Sequence, residues 1–398
     1  MIYLDNSATT ALDPQVLKAM LQDLEGVPYN PSSYHQLGRK AYAMLSSARE
    51  RIASHLKVLP EEIIFTSSAS EAINLAMRSL VTKNSHLITS DLEHSAVYNT
   101  ALDLEKNQTA EVTFLSPQQA GAVQAEELEK AIRPNTSLIV LSAVNGETGT
   151  FSNLEELARI AEEHKIPFLV DGVALLGKKS FSIPKGVSAM AFSGHKIHGP
   201  KGIGFLIFKK EIPFKPLITG GPQEHMKRAG TENLSGILGL AKALELSFEN
   251  LDEKVAKMNR LRNLFEQELL QKTNTKANLS NLKESEKQKL SSNKANQDQL
   301  CRIQINSGKE RVCNVSNLCF EGIEAEELLI LLDQKGIAAS HGSACSSKSL
   351  VVSRVLSNMY DRKRAKSSVR FSLSHLTTEV EIKKAVAIIA TAYQKLTI

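Results

Sequence analysis

Lys196 stands in Ser193-Gly-His-Lys-Ile-His-Gly-Pro-Lys-Gly-Ile-Gly204, just after the apolar run Ala189–Phe192, which reads as a buried strand end. A lysine there is a candidate Schiff-base amine, because partial burial lowers its pKa and the free amine attacks carbonyls. Glycines around it would let a bulky ring and its phosphate come close to the backbone. Asp171 directly follows the strand pattern Pro167–Val170. A carboxylate at a strand end can pair with a pyridinium nitrogen and keep the ring an electron sink. At ~4 Å and an effective dielectric of ~20 that attraction is about 4 kcal/mol, roughly three pKa units. Thr66-Ser-Ser-Ala-Ser-Glu71 joins a strand to a helix, where backbone N–H groups suit a phosphate, although the Gly-x-x-x-x-Gly-Lys spacing of a Walker loop is missing. His94, in Leu-Glu-His-Ser after another strand, has an imidazole that could stack on a flat cofactor and shuttle protons. Cys345 lies in a loop of small residues, Ser340-His-Gly-Ser-Ala-Cys-Ser-Ser-Lys348, which suits a thiol that must travel to its target. Arg370, in Ser-Val-Arg-Phe-Ser, offers a fork for a carboxylate. Taken singly, each residue also has a plainer reading: a snorkelling surface lysine, a helix-capping aspartate, an ordinary N-cap, a satisfied histidine.

The elements that must position these residues alternate along the chain. Apolar spacing of three and four residues predicts helices over 16–24 and 37–56, with the turn-rich Asn30-Pro-Ser-Ser-Tyr-His35 between them. Strands are expected at Ile63–Thr66, His86–Thr89, Leu138–Leu141 and Pro167–Val170, with a helix beginning near Ser70. Asn153 with Glu156 forms a capping-box pattern opening a further helix, whose Leu154, Leu157, Ala158 and Ala161 share one face. Such alternation predicts an α/β fold with a mostly parallel sheet covered on both faces, ligands binding at the carboxyl ends of the strands. A long helix with a break inside it is expected from about Asn233 to Leu270. Residues 272–299, rich in Lys, Asn, Ser and Gln without apolar period, read as an exposed polar insertion. A second, smaller α/β unit follows, with Leu318–Phe320, a helix over Ala325–Gln334 and a helix over Glu379–Leu396.

Composition excludes several classes. The 398 residues are 42% hydrophobic and 23% charged, the balance of an ordinary globular protein. A net charge of +5, scattered in lysines, gives little ground for nucleic acid. No apolar run approaches the ~20 residues that span a bilayer, and the first residues carry no signal-peptide pattern, so the chain reads as cytoplasmic. Its 4 cysteines make no Cys-x-x-Cys pair, against zinc and against a disulfide framework. Cys301, Cys313 and Cys319 sit in apolar or strand patterns and read as inert packing.

In order along the chain, the motifs resemble the cysteine desulfurases of the class V aminotransferase fold. The resembling pieces are Tyr3-Leu-Asp-Asn-Ser-Ala-Thr-Thr10, Asn30-Pro-Ser-Ser33 with His35 and Gly38, Phe65–Glu71, Glu93-His94 and Val170-Asp171. They continue with Ser193–Lys196, Gly220-Gly-Pro-Gln-Glu224, Arg228-Ala-Gly-Thr231, Gly342-Ser-Ala-Cys-Ser346 and Val369–Ser372, covering nearly everything but the polar insertion. The resemblance implies a pyridoxal-phosphate-dependent transferase of fold type I. Residues 1–15 would pack with the small domain, 16–260 would form the large cofactor-binding domain, and 261–398 the small domain with the cysteine loop. Lys196 would carry pyridoxal 5′-phosphate, Asp171 pair with its ring nitrogen, and His94 stack on the ring. Ala69, Ser70, Ser193 and His195 would bind the phosphate, with Thr231 donated by the partner subunit of a homodimer. L-cysteine would place its carboxylate on Arg370 and near Asn30. Cys345 would attack the substrate sulfur, leaving a persulfide and releasing alanine, for iron–sulfur cluster assembly or a thiolation carrier.

The family pattern is departed from at three places. Ser68 replaces a glycine, which would crowd the phosphate turn; Gly146 replaces the second Asn of Asn-Asn-Glu-x-Gly; and Ala174 replaces a glutamine. The last two are the donors expected at the cofactor's phenolic oxygen, so their loss implies compensation by Asn145 or water, or an altered enzyme. The chain also ends soon after its last helix, where family members that serve an iron–sulfur scaffold often have a longer tail. The rival readings are another reaction of the same fold, such as selenocysteine lysis or transamination, and a catalytically impaired homologue that acts by binding. A loop cysteine is superfluous to transamination, while Lys196, Asp171 and Cys345 together argue for catalysis.

Overall fold

The computed structural model describes residues 1–117, 119, 121–273, 303–308, 310–342 and 352–397. Its strands, in chain order, are β1 (Ile2–Tyr3), β2 (Ile63–Thr66), β3 (Ser85–Ser90), β4 (Ala110–Leu115), β5 (Thr136–Ser142), β6 (Phe168–Asp171), β7 (Ala189–Ser193), β8 (Gly204–Phe208), β9 (Ile303–Ile305), β10 (Val315–Phe320), β11 (Ile337–Ala338) and β12 (Ser368–Ser372). The helices are α1 (Pro14–Leu24), α2 (Gln36–Leu56), α3 (Ala69–Leu80), α4 (Ser95–Lys106), α5 (Ala125–Ala131), α6 (Leu154–Glu163), α7 (Leu234–Phe248), α8 (Leu251–Thr273), α9 (Ala325–Gln334), α10 (Arg354–Met359), α11 (Arg362–Lys366) and α12 (Glu379–Leu396).

The chain divides into two compact units: Thr9–Gly146 with Thr150–Asp252, and Met1–Ala8 with Glu147–Gly149 and Glu253–Ile398. The first is built on a 7-stranded sheet of order β2-β8-β7-β6-β5-β3-β4. Strands β3 to β7 pair in parallel, and β8 alone is reversed, antiparallel to both β7 and β2. Strands β6, β7 and β8 are buried at every residue, which is why they read as continuous apolar runs rather than alternating ones. Helix α3 lays Ala72, Leu75, Ala76 and Met77 against Leu138, Leu169, Ala191 and Leu206 of the sheet. This topology brings the carboxyl ends of β2, β3, β5, β6 and β7 to one edge.

Helix α6 begins as expected, with Asn153 accepting from the Glu156 N–H and burying Leu157, Ala158 and Ala161. The break in the long helix falls between α7 and α8, where Asn250 takes φ 49°. The second unit holds the antiparallel sheet β12-β10-β9 and the two-stranded parallel pair β1-β11. Its core joins Ile2 and Leu4 to Leu261, Phe265, Leu318, Phe320, Phe371 and Tyr393. Of the polar stretch expected at 272–299, Lys272 and Thr273 end α8, and the rest lies outside the described residues.

Candidate active site

At the shared strand edge β7 runs into a short 3-10 turn, Gly194–Lys196, which lifts Lys196 off the end of the sheet half-buried. The turn is held by Thr9 and Thr10. Thr10 takes the His195 carbonyl with both its N–H (3.0 Å) and its hydroxyl (2.9 Å), and its hydroxyl accepts from the His198 N–H at 2.7 Å. His195 Nδ1 meets the Thr9 hydroxyl at 3.1 Å. Burial, then the charges of Lys196 and Lys201, hold the His195 imidazole down at about 4, so it is neutral at pH 7.

Asp171 ends β6 beside β7, only 7% exposed, and its Oδ1 accepts from the Val173 N–H at 3.0 Å. Burial raises its carboxyl pKa, while the charges of His94 and Lys196 and that one hydrogen bond pull it back. His94 caps α4, its Nδ1 accepting from the Ala96 N–H at 3.1 Å, so a neutral ring carries its proton on Nε2. The segment ahead of it is pinned by the Asn145 amide donating to the Leu92 carbonyl at 3.0 Å, and by the Ser90 hydroxyl donating to Glu93 at 2.7 Å.

Ser68, Ala69 and Ser70 form the start of α3. The Ser68 hydroxyl accepts from the Glu71 N–H, and the Glu71 carboxylate accepts from the Ser67 N–H at 2.8 Å. This reciprocal cap uses the flanking donors and leaves the Ala69 and Ser70 N–H groups, with no carbonyl one turn back, pointing out of the helix start. The turn sits directly on β8: a Cβ on Gly204 would lie 2.7 Å from the Ser68 carbonyl carbon and 2.9 Å from the Ala69 nitrogen. Ser193, at the end of β7, is buried opposite Gly204 in the ladder. Thr231 is exposed in a loop and lines a 180 Å³ cleft with Thr66, Ser67 and Arg228. Asn30 is half-buried, and its Oδ1 accepts from the Ser32 N–H at 2.8 Å.

Arg370 belongs to the second unit. It is 3% exposed on β12, its Nη2 donating to Asp5 at 3.1 Å and its backbone pairing with Ser340. Cys345 lies outside the described residues. The described residues that flank it meet at Glu147: Ser353 donates its hydroxyl to the Glu147 carboxylate at 2.5 Å, and a Cβ on Gly342 would stand 3.3 Å from that carboxylate. Cys313 and Cys319 are buried, and burial pushes the Cys319 thiol up to about 11, which keeps it unreactive. No group of side chains among the described residues could hold a metal ion, and no described helix is long and apolar enough to cross a membrane.

The chain matches the family described as Aminotransferase class-V over residues 2–293 and 272–385. A cysteine desulfurase of Trichormus azollae is 37% identical over 401 residues, covering 100% of this chain and 94% of that one. The solved structure of a NifS-like protein superposes with a TM-score of 0.83 at 32% identity, covering 98% of each chain. A structure described as SspA in complex with cysteine is 31% identical, with a TM-score of 0.74, over 95% of this chain and 100% of that one. This chain belongs to the cysteine desulfurase family.

For a member of that family, the donor set of the first unit fits pyridoxal 5′-phosphate. An amine stands at one strand end, and a buried carboxylate that needs a cationic partner stands at the next. Two outward N–H groups and nearby hydroxyls suit a phosphate. Two of the departures from the desulfurase pattern acquire a physical reading. Ser68 takes φ −171°, extended backbone open to any residue, so it caps α3 without crowding the turn. Gly146 has nothing within 4 Å of where a Cβ would be, so a larger side chain is absent there without any steric need for glycine.

Glu224 and Arg228, whose motifs carry no evident chemistry in the sequence, brace the site. Glu224, 5% exposed, takes Arg49 on both oxygens (2.6 and 3.0 Å) and the Phe65 N–H at 2.8 Å. Arg228 donates to Glu71 at 2.9 Å. Their only sequence signal was membership of short polar motifs, because each pair joins segments more than 150 residues apart.

Proposed function

We propose that this protein is a cytoplasmic, homodimeric cysteine desulfurase that takes sulfur from L-cysteine onto Cys345 and releases alanine. The observation that carries the reading is Asp171: a carboxyl group buried at a strand end, short of hydrogen bonds, and balanced by charge at His94 and Lys196. Bound pyridoxal 5′-phosphate supplies an electron sink for the pair left on the substrate carbon when its C–S bond breaks.

The protein's own groups do the rest. Lys196 holds the cofactor through its side-chain nitrogen, and Asp171 keeps the proton on the ring nitrogen. Ala69 and Ser70, with Ser193 and His195, bind the phosphate, joined by the partner's Thr231. His94 stacks on the ring and transfers protons, its Nδ1 oriented by the Ala96 N–H. Arg370 takes the substrate carboxylate in a fork, and Asn30 is a second candidate ligand for it. The Cys345 thiolate forms an S–S bond to the substrate sulfur as the C–S bond breaks, and the substrate carbon, once protonated, leaves as alanine. The persulfide then passes to an acceptor protein, an iron–sulfur scaffold or a thiolation carrier.

The cofactor half of this reading is tested by borohydride reduction of the purified protein followed by peptide mapping. A pyridoxyl group on Lys196, absent from Lys196→Ala, is the expected result; no pyridoxyl group after incubation with the cofactor would refute it.

A further inference from the structure

We propose that Arg228 is the positioning and charge-balancing residue of the phosphate turn, acting through Glu71 to make the start of α3 acceptable to a dianion. The inference rests on the reading that this turn binds the cofactor phosphate.

A helix start attracts anions, and a carboxylate in its first turn is ordinarily favourable. It is unfavourable when the same turn must also take a phosphate, because the two negative charges then share one desolvated place. Glu71 stands in that first turn with its side chain only 13% exposed. Its carboxylate cannot simply be dispensed with, since it accepts the Ser67 N–H and completes the reciprocal cap with Ser68. Arg228 resolves the conflict. It approaches Glu71 through Nε (2.9 Å) and Nη2 (3.4 Å), with its own side chain 23% exposed. Burial alone would raise the Glu71 carboxyl pKa, but the hydrogen bonds from Arg228 and Ser67 outweigh it and hold the group ionised. The pair therefore keeps the cap while cancelling its charge.

Arg228 is itself fixed in place. The Ala229 N–H donates to the Ile218 carbonyl at 3.2 Å and the Gly230 N–H to Gln223 at 3.2 Å. Four residues before it, the loop is locked by Glu224 on Arg49 and Phe65, with Glu224, His225 and Met226 all left-handed at φ 47°, 56° and 62°. Three successive non-glycine residues in that region are costly, and persist only where the surroundings over-determine them. Arg228 is thus presented to Glu71 by a loop tied down on both sides of it.

The test compares binding of pyridoxal 5′-phosphate and of pyridoxal, which lacks the phosphate, to the full chain and its variants by absorbance titration after cofactor removal. Arg228→Gln should weaken the phosphorylated compound by roughly tenfold or more, the size of an uncompensated like charge in partly desolvated protein, and leave pyridoxal unchanged. Arg228→Lys should recover part of the loss. The double variant Glu71→Gln/Arg228→Gln should bind the phosphate form more tightly than Arg228→Gln alone, because the unbalanced charge has gone. Equal weakening of both compounds, or no rescue by the double variant, would overturn the proposal. A wild type that binds neither compound would overturn the cofactor reading itself, and this inference with it.

Discussion

Burial opposes the negative charge on Asp171, so in the cofactor-free protein this residue is a liability that the bound ring would relieve. Its folded pKa lies above the ordinary 3.8. As pH rises through the carboxylate range the unfolded chain gives up its proton first, and the folded state loses stability. Cofactor-free Asp171→Asn is therefore expected to show a urea midpoint at pH 7 no lower than wild type, the gap closing toward pH 4. The same variant should lose roughly a hundredfold or more in alanine formation, since the ring proton loses a partner worth up to about 4 kcal/mol. His195 has the opposite sign: it ionises at about 4 when folded against an ordinary 6.5. As pH falls below 6.5 the unfolded chain takes up the proton first, so stability declines down to about 4. His195→Asn should flatten that part of the urea-midpoint profile. Asp171 was legible as chemistry in the sequence, because it sits at the end of an apolar run, whereas His195 was marked only by the resemblance to the desulfurases. Their protonation was not legible, because it depends on burial and on neighbours contributed by other strands.

Strands and helices set which pairs matter energetically. The Arg49–Glu224 pair has side chains 9% and 3% exposed, whereas Lys210–Glu61 has both at 50%. Glu224→Gln leaves Arg49 and the Phe65 N–H with a weaker buried partner, and is expected to cost about 3–5 kcal/mol in urea unfolding. Glu61→Gln should change stability by less than about 1 kcal/mol. Apolar spacing made α2, α9 and α12 readable to within two residues, because each keeps one face in a core. Elements without such a signature escaped. Strand β4 lies at the sheet edge with most of its side chains part-exposed, and β1 pairs with β11 over only two residues. Strand β8 is an apolar run like its neighbours, but nothing local announces that it is reversed. That reversal is what sets Gly204 against Ser68 and Ala69 at the start of α3.

Across the whole chain, the sequence order of the motifs revealed the family, because desulfurase chemistry needs an amine, a carboxylate, an imidazole and a thiol at fixed places in one fold. The braces behind them stayed hidden for a topological reason. Asp5 meets Arg370 and Ser7 meets Ser372 across some 365 residues of chain, and no periodicity encodes such pairings. Lys196, Asp171 and His94 belong to the first unit, and Arg370 to the second. Sulfur transfer to Cys345 is tested by incubating wild type and Cys345→Ala with L-cysteine and measuring alanine and protein-bound persulfide. Alanine and a persulfide mapped to Cys345 are expected in wild type, with both abolished in Cys345→Ala while the cofactor spectrum is unchanged. Alanine formed at an undiminished rate by Cys345→Ala would contradict it.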